Sequence, residues 1–299
     1  MRSGLIAAGF VAITAFGASI PHALNVSPVH RIRLEPLVVP PARTAGLLAR
    51  VRINGGPSLR LLLDSGSQYV VLNRSAAARS GCRGGDALDL VGAGGVAPST
   101  VMRLRADSLQ VGDLTFRDLP LLVAERPFPD GIQGVLPLSV FSTYLIRLDF
   151  PSQDLDLLPY GDEPSANADA LEILANNGLP FLRATVNGTH EGYFLLDTGA
   201  AYNAISQSLA RQLHIAESLS SKVEIEGGVA TMDAPLVSGT VRVRLGSRNV
   251  INGPVIAVDL TTASRYHRLE ISGLIGYSAL SGSILTLNYR DRALRIEPK

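Results

Sequence analysis

The chain has a single cysteine, Cys82, among 299 residues. One thiol excludes an intrachain disulfide and any zinc site built on several cysteines, so Cys82 reads as a small apolar residue near a helix end. The five histidines, at 22, 30, 190, 214 and 267, show no metal spacing such as H-x-x-x-H. No metal and no other cofactor is therefore expected. Charge of one sign is also missing. The formal net charge is +1 and the arginines are scattered, which leaves no field for nucleic acid or an anionic membrane. The "GAGG" stretch lacks the spacing of a phosphate loop. Long apolar runs are absent beyond the N-terminus, so no later segment is expected to span a bilayer. What remains is 46% apolar and rich in turn formers, with 29 Gly and 18 Pro. Such a composition suits a folded, loop-rich protein rather than a disordered one.

Arg2 precedes an apolar run from Gly4 to Ile20 that is softened by Gly, Ser and Thr. It is short for a spanning helix and fits the core of an export signal over residues 1–23, cleaved or kept as an anchor. The chain is thus expected to be exported, periplasmic or secreted. Residues 24–43 are Pro-rich and read as an N-terminal arm rather than a helix.

From Leu47 onward short β-type runs alternate with turn residues, and then the pattern starts again. "LPFLRATVNG" matches "AGLLARVRING". "GYFLLDTGAAYNAI" matches "SLRLLLDSGSQYVVL", and "ISGLIGYSAL" matches "GIQGVLPLSVF". "ILTLNYRDRALRIEP" matches "LIRLDFPSQDLDLLP". Asp64 and Asp197 lie 133 residues apart, and Gly134 and Gly273 lie 139 apart. Landmarks in one order at near-constant spacing make an internal repeat of two. The expected division is a first lobe over 44–159, a linker over 160–178 holding one helical turn, and a second lobe over 179–299.

An aspartate between apolar runs is costly to bury unless it finds donors or does chemistry. Here two such aspartates, Asp64 and Asp197, occupy equivalent places in the two copies. Packing about a pseudo-two-fold axis brings equivalent loops together on that axis. Two carboxylates so placed share a proton. One then takes a proton from water while its protonated partner polarises a carbonyl, which is general acid–base hydrolysis. The hydroxyls of Ser65 and Thr198 are placed to tie each loop to the opposite backbone. Gly66 and Gly199 permit close approach of backbone to carboxylate.

"LLLDSGS" and "FLLDTGA" resemble the active-site motifs of clan AA aspartic proteases, in the retropepsin-like, gag-polyprotein-type branch. "GLIGYSAL" is similar to that family's second signature. "VGAGG" and "IEGG" fall where the family has its flaps, which assigns Gly94, Gly95, Gly227 and Gly228 to flap tips. The resemblance covers roughly residues 44–298. It implies an all-β, bilobal pepsin/retropepsin-like fold of two tandem β-barrel-like lobes. It further implies an aspartic endopeptidase that is a monomer and takes a peptide or protein substrate as an extended strand. Asp64 and Asp197 would be its catalytic dyad, supported by Ser65, Gly66, Ser67, Thr198, Gly199 and Ala200. Val135 and Leu274, beside the second signatures, are the expected subsite residues.

The copies also differ. Pro137 stands where the second copy has the family's usual glycine, Gly276, which lets the chain pass beneath the active-site loop. The acidic residue and arginine that form an ion pair in many retroviral members are absent, with Gln68, Ala201, Leu138 and Tyr277 nearby. These departures leave a non-catalytic peptide-binding module as the alternative function. Ser67 faces Ala200 across the repeat. A hydroxyl donating to Asp64 would favour its ionised form and leave the shared proton on Asp197.

Overall fold

The computed structural model describes residues 30–39, 43–90, 99–124, 128, 131–161, 170–215, 217–226, 231–237 and 239–299. The expected export segment and the four flap-tip glycines lie outside them. Strands dominate, and the helical segments are short, seven residues at most.

The repeat seen in sequence extends to individual turns and caps. Asn54 and Gly55 turn the chain after the strand Arg43–Ile53 with φ of 51° and 70°. Asn187 and Gly188 do the same after Leu179–Val186, at 50° and 83°. These left-handed conformations are why Asn-Gly recurs there. Each asparagine side chain then accepts a backbone N–H at 3.0 Å, from Ser108 in one lobe and Arg242 in the other. Asn73 caps the helix Arg74–Arg79 through Ala76 N–H, and Ser206 caps Gln207–Gln212 through Leu209 N–H.

In both lobes the second-signature strand slots between two strands of the aspartate loop. Ser58–Asp64 runs parallel to Gly134–Pro137, which pairs antiparallel with Val70–Asn73. His190–Leu196, Ile271–Ile275 and Ala204–Ser206 repeat that order. The insertion demands glycine. A Cβ on Gly134 would sit 2.0 Å from the Val71 carbonyl oxygen, and one on Gly273 would sit 2.3 Å from that of Ala204. Each lobe also carries a long hairpin of the flap type, Arg83–Leu90 with Ser99–Val111 and Glu217–Glu226 with Thr231–Val237.

The lobes join through an antiparallel sheet. Its strands, in order, are His30–Arg33, Asp154–Leu158, Leu145–Asp149, Ser283–Asn288, Ala293–Pro298 and Leu171–Asn176. Its central pairs are Ile146 with Leu287, Arg147 with Thr286, and Leu148 with Leu285. In the repeat, Ile146 is equivalent to Leu285 and Leu148 to Leu287. The pairing is therefore self-complementary, and the pseudo-two-fold axis passes at Arg147 and Thr286. One apolar cluster runs through this sheet, with Leu63, Phe141 and Leu148 from the first lobe and Leu196, Tyr277 and Leu285 from the second. The rings of Phe150 and Tyr277 meet edge-on across the boundary, 5.6 Å between centroids. Cys82 packs against this cluster as a partly buried residue.

Three segments differ from the sequence reading. Within 160–178, Leu171–Asn176 is a strand rather than a helical turn, because it has partners on both sides in Leu179–Val186 and Ala293–Pro298. The arm is structural over 30–39. His30–Arg33 edges the interlobe sheet and Glu35–Val39 pairs with Arg43–Ile53, with Ile32, Leu34, Leu37 and Val39 buried. The helix Thr261–His267 has no counterpart in the expected repeat and ends on His267, which is buried.

His267 touches the rings of Phe181 and Tyr266, and neither ring nitrogen has a hydrogen-bond partner among the described residues. Desolvation pushes its pKa from 6.5 down to about 4. The unfolded chain binds this proton first, so stability falls as pH drops from 6.5 towards 4, by on the order of 3 kcal/mol. His267→Phe should remove this acid-side loss, so the variant gains on the parent as pH falls through that window; a difference in urea titrations that stays constant with pH would place the acid sensitivity elsewhere. Deleting residues 30–39 removes four buried apolar side chains at about 2 kcal/mol each. That approaches the whole stability of a typical domain. The shortened chain should lose its cooperative thermal transition, and an unaltered transition would show the arm to be dispensable.

Candidate active site

Asp64 ends the strand Ser58–Asp64 and Asp197 directly follows His190–Leu196, so each carboxylate sits where a rigid strand gives way to a tight loop. Both residues are 0% exposed. The Gly66 amide donates to Asp64 Oδ1 at 2.6 Å. The amides of Gly199 and Ala200 donate to Asp197 Oδ1 at 3.1 and 2.9 Å. Gly66 lies hard against the opposite carboxylate. A Cβ there would be 2.7 Å from Asp197 Cγ, so the Asp64 loop admits only glycine at that point.

The loops are locked by four reciprocal bonds. Ser65 N–H donates to Thr198 Oγ1 at 3.0 Å, and Thr198 N–H donates to Ser65 Oγ at 3.0 Å. The Ser65 hydroxyl donates onward to the Leu196 carbonyl at 2.7 Å, and the Thr198 hydroxyl to that of Leu63 at 2.9 Å. All four cross the lobe boundary and are buried. The grip places the aspartates on the same pseudo-axis that runs through the interlobe sheet.

Burial pushes the Asp197 carboxyl up to about 6, opposed by a hydrogen bond with the Asp64 side chain and by the Ala200 and Gly199 amides. The Gly199 and Ala200 amides favour the ionised form of Asp197 against the cost of its burial. The Ser67 hydroxyl does not turn to Asp64; it donates to the Tyr69 carbonyl at 3.0 Å. The expected donation from Ser67 to Asp64 is therefore not made.

Val135 and Leu274 are also placed differently from expectation. Val135 has no exposed surface and Leu274 only 6%, because the inserted strands carry them into the apolar cluster behind the loops. They form the floor of the site rather than a wall offered to a substrate. Three residues had no strong sequence signal. Asn203 accepts the Gly276 N–H. The Tyr289 hydroxyl is buried, and burial, followed by the charges of Tyr160 and Asp64, raises its pKa. Tyr266 packs from the unanticipated helix against the cluster that holds Leu274. Only Asn203 was open to discovery, by comparing it with Val70 across the repeat.

Two equivalent aspartate loops, gripped on a pseudo-two-fold axis between β-rich lobes, define a bilobal aspartic-proteinase fold. The family model described as aspartyl protease matches residues 49–140 and 182–279, once per lobe, and the chain belongs to that family. Among solved structures, the aspartic proteinase from Irpex lacteus is similar with a TM-score of 0.57, over 91% of this chain and 97% of that one. The identity is 10%, a likeness of fold. The search of curated proteins returned no match.

Ser65→Ala would strand two buried groups, the Thr198 N–H and the Leu196 carbonyl. At about 1–3 kcal/mol each, the loss should be roughly 2–6 kcal/mol in urea unfolding. Ser65→Thr, the second lobe's own choice, should cost under about 1 kcal/mol. Equal losses in the two variants would mean that the hydroxyl bonds do not hold the loops.

Proposed function

We propose that this protein is an aspartic endopeptidase whose catalytic pair is Asp64 and Asp197. The observation that carries the reading is the reciprocal Ser65–Thr198 grip, which sets two buried carboxylates together on one axis. A fold needs no such symmetry for two merely structural aspartates.

In the proposed reaction a water is held between the carboxylates. Ionised Asp197 takes a proton from it as the oxygen attacks the scissile carbonyl. Protonated Asp64 gives its proton to the carbonyl oxygen, which leaves a neutral tetrahedral diol. Asp197 then passes its proton to the amine nitrogen, the C–N bond breaks, and a diol hydroxyl returns a proton to Asp64. The substrate is an extended peptide lying between the lobes, under the two hairpins, where its backbone meets strand edges. On this reading the chain acts as a monomer, because covalent duplication supplies both halves. Export through residues 1–23 places it outside the cytoplasm.

The test is cleavage of a diverse peptide library from pH 3 to 8 by the chain from Leu24 onward. Asp64→Asn and Asp197→Asn should each lower turnover by at least about a thousandfold. Asp197 must be ionised to act, so the rate should rise as pH rises through about 6. Full activity at pH 4 would overturn the assigned roles. Loss of turnover in only one Asn variant would overturn the pair. Retention of peptides without cleavage by the unaltered chain would favour the peptide-binding reading.

A further inference from the structure

The lobes differ at one buried contact beneath the aspartates. In the second lobe the Asn203 Oδ1 accepts the Gly276 N–H at 2.9 Å. Asn203 is buried, and its own carbonyl accepts the Ile256 N–H at 3.1 Å. The contact leads directly to the candidate site. Tyr277 N–H, next in the chain, donates to the Ala200 carbonyl at 2.7 Å. The Ala200 N–H donates to Asp197 Oδ1 at 2.9 Å. The packing is close, since a Cβ on Gly276 would lie 2.2 Å from the Tyr202 oxygen and 2.7 Å from the Ala200 oxygen.

In the first lobe both partners are changed at once. Val70 is equivalent to Asn203 and Pro137 to Gly276. Proline has no N–H to donate and valine has no acceptor. Val70 is 2% exposed within the apolar cluster, and Pro137 sits beside Asp64 in register with it. Loss of donor and acceptor together leaves no buried polar group unpaired. Pro137, a departure from the repeat in sequence, is thus one half of a matched exchange.

We propose that Asn203 is a positioning residue for Asp197, holding the Gly276–Tyr277 segment so that the Ala200 amide stays on the Asp197 carboxylate. The first lobe holds Asp64 by apolar packing of Val70 and Pro137 instead. This rests on the endopeptidase reading for its meaning in catalysis, but its test does not require turnover.

The decisive measurement is a carboxyl 13C NMR pH titration of the full chain labelled at aspartate, with thermal unfolding in parallel. Asn203→Val strands the Gly276 N–H and loosens the Ala200 amide. Tm should fall by about 5 °C. The lower titration step of the Asp64–Asp197 pair should move up by about one pH unit, and the acidic limb of cleavage should follow it. Leu245→Ala, a buried change on the strand Val241–Leu245, should lower Tm without moving either. A titration unmoved in Asn203→Val would reduce Asn203 to a structural role and overturn the proposal. If Asn203→Val does not fold, the reciprocal exchange decides. Val70→Asn should lower Tm, and adding Pro137→Gly should restore part of the loss. Simple addition of the two losses would overturn the matched exchange. A chain that titrates as expected but cuts no peptide would refute the endopeptidase reading and leave the positioning role intact.

Discussion

Everything in this fold depends on four hydrogen bonds that Ser65 and Thr198 exchange across the lobe boundary. Each hydroxyl accepts from one backbone and donates to another, so neither loop can move without stranding buried polar groups. The carboxylates are carried by these loops and inherit their rigidity. Gly66 completes the constraint, because the chain can approach Asp197 so closely only without a side chain. Two carboxyl groups buried this closely cannot both ionise cheaply.

The second fixed point on the axis is the interlobe sheet. Arg147 faces Thr286 where equivalent strands pair with each other, so the sheet repeats the symmetry of the grip. Two separated points define an axis, and together they prevent one lobe from rotating on the other. Ionic contacts brace the sheet. Asp156 accepts two bonds from Arg31 and one from Arg147, which ties the arm to the central strands. Asp149 is paired with the last residue, Lys299, at 2.7 Å. Both ends of the described chain are therefore fastened to the same sheet, on which the lobes depend for their relative placement.

The repeat was legible because equivalent positions face equivalent constraints. Asp-[Ser/Thr]-Gly, the strand glycines Gly134 and Gly273, and the Asn-Gly turns each answer to local geometry that admits few residues. The arm was not legible, because nothing local distinguishes an edge strand from a Pro-rich coil until its partner, Asp154–Leu158, is known. Leu171–Asn176 was hidden for the same reason among polar and small neighbours. Ser67 and Val135 misled for a different one. Their identities suit a donor and an apolar wall, but side-chain direction depends on the strand insertion, which turns Ser67 to Tyr69 and Val135 into the core. Pro137 stood out as a departure when read alone, because its meaning depends on Val70, a residue far from it in sequence.

Two perturbed ionisations in the acidic range pull stability in opposite directions with pH. Asp197 moves from 3.8 to about 6, so the folded chain loses stability between those values as pH rises, by on the order of 3 kcal/mol. His267 moves from 6.5 to about 4 and makes the folded chain lose a similar amount as pH falls over nearly the same range. The two effects oppose each other across weakly acidic pH. Ionising the buried Asp197 carboxylate weakens the fold on the alkaline side. Burying His267 as a neutral ring makes the acidic side no better. Acid therefore relieves the buried carboxylate only while it loads the buried ring, and neither group alone sets how stability varies with pH.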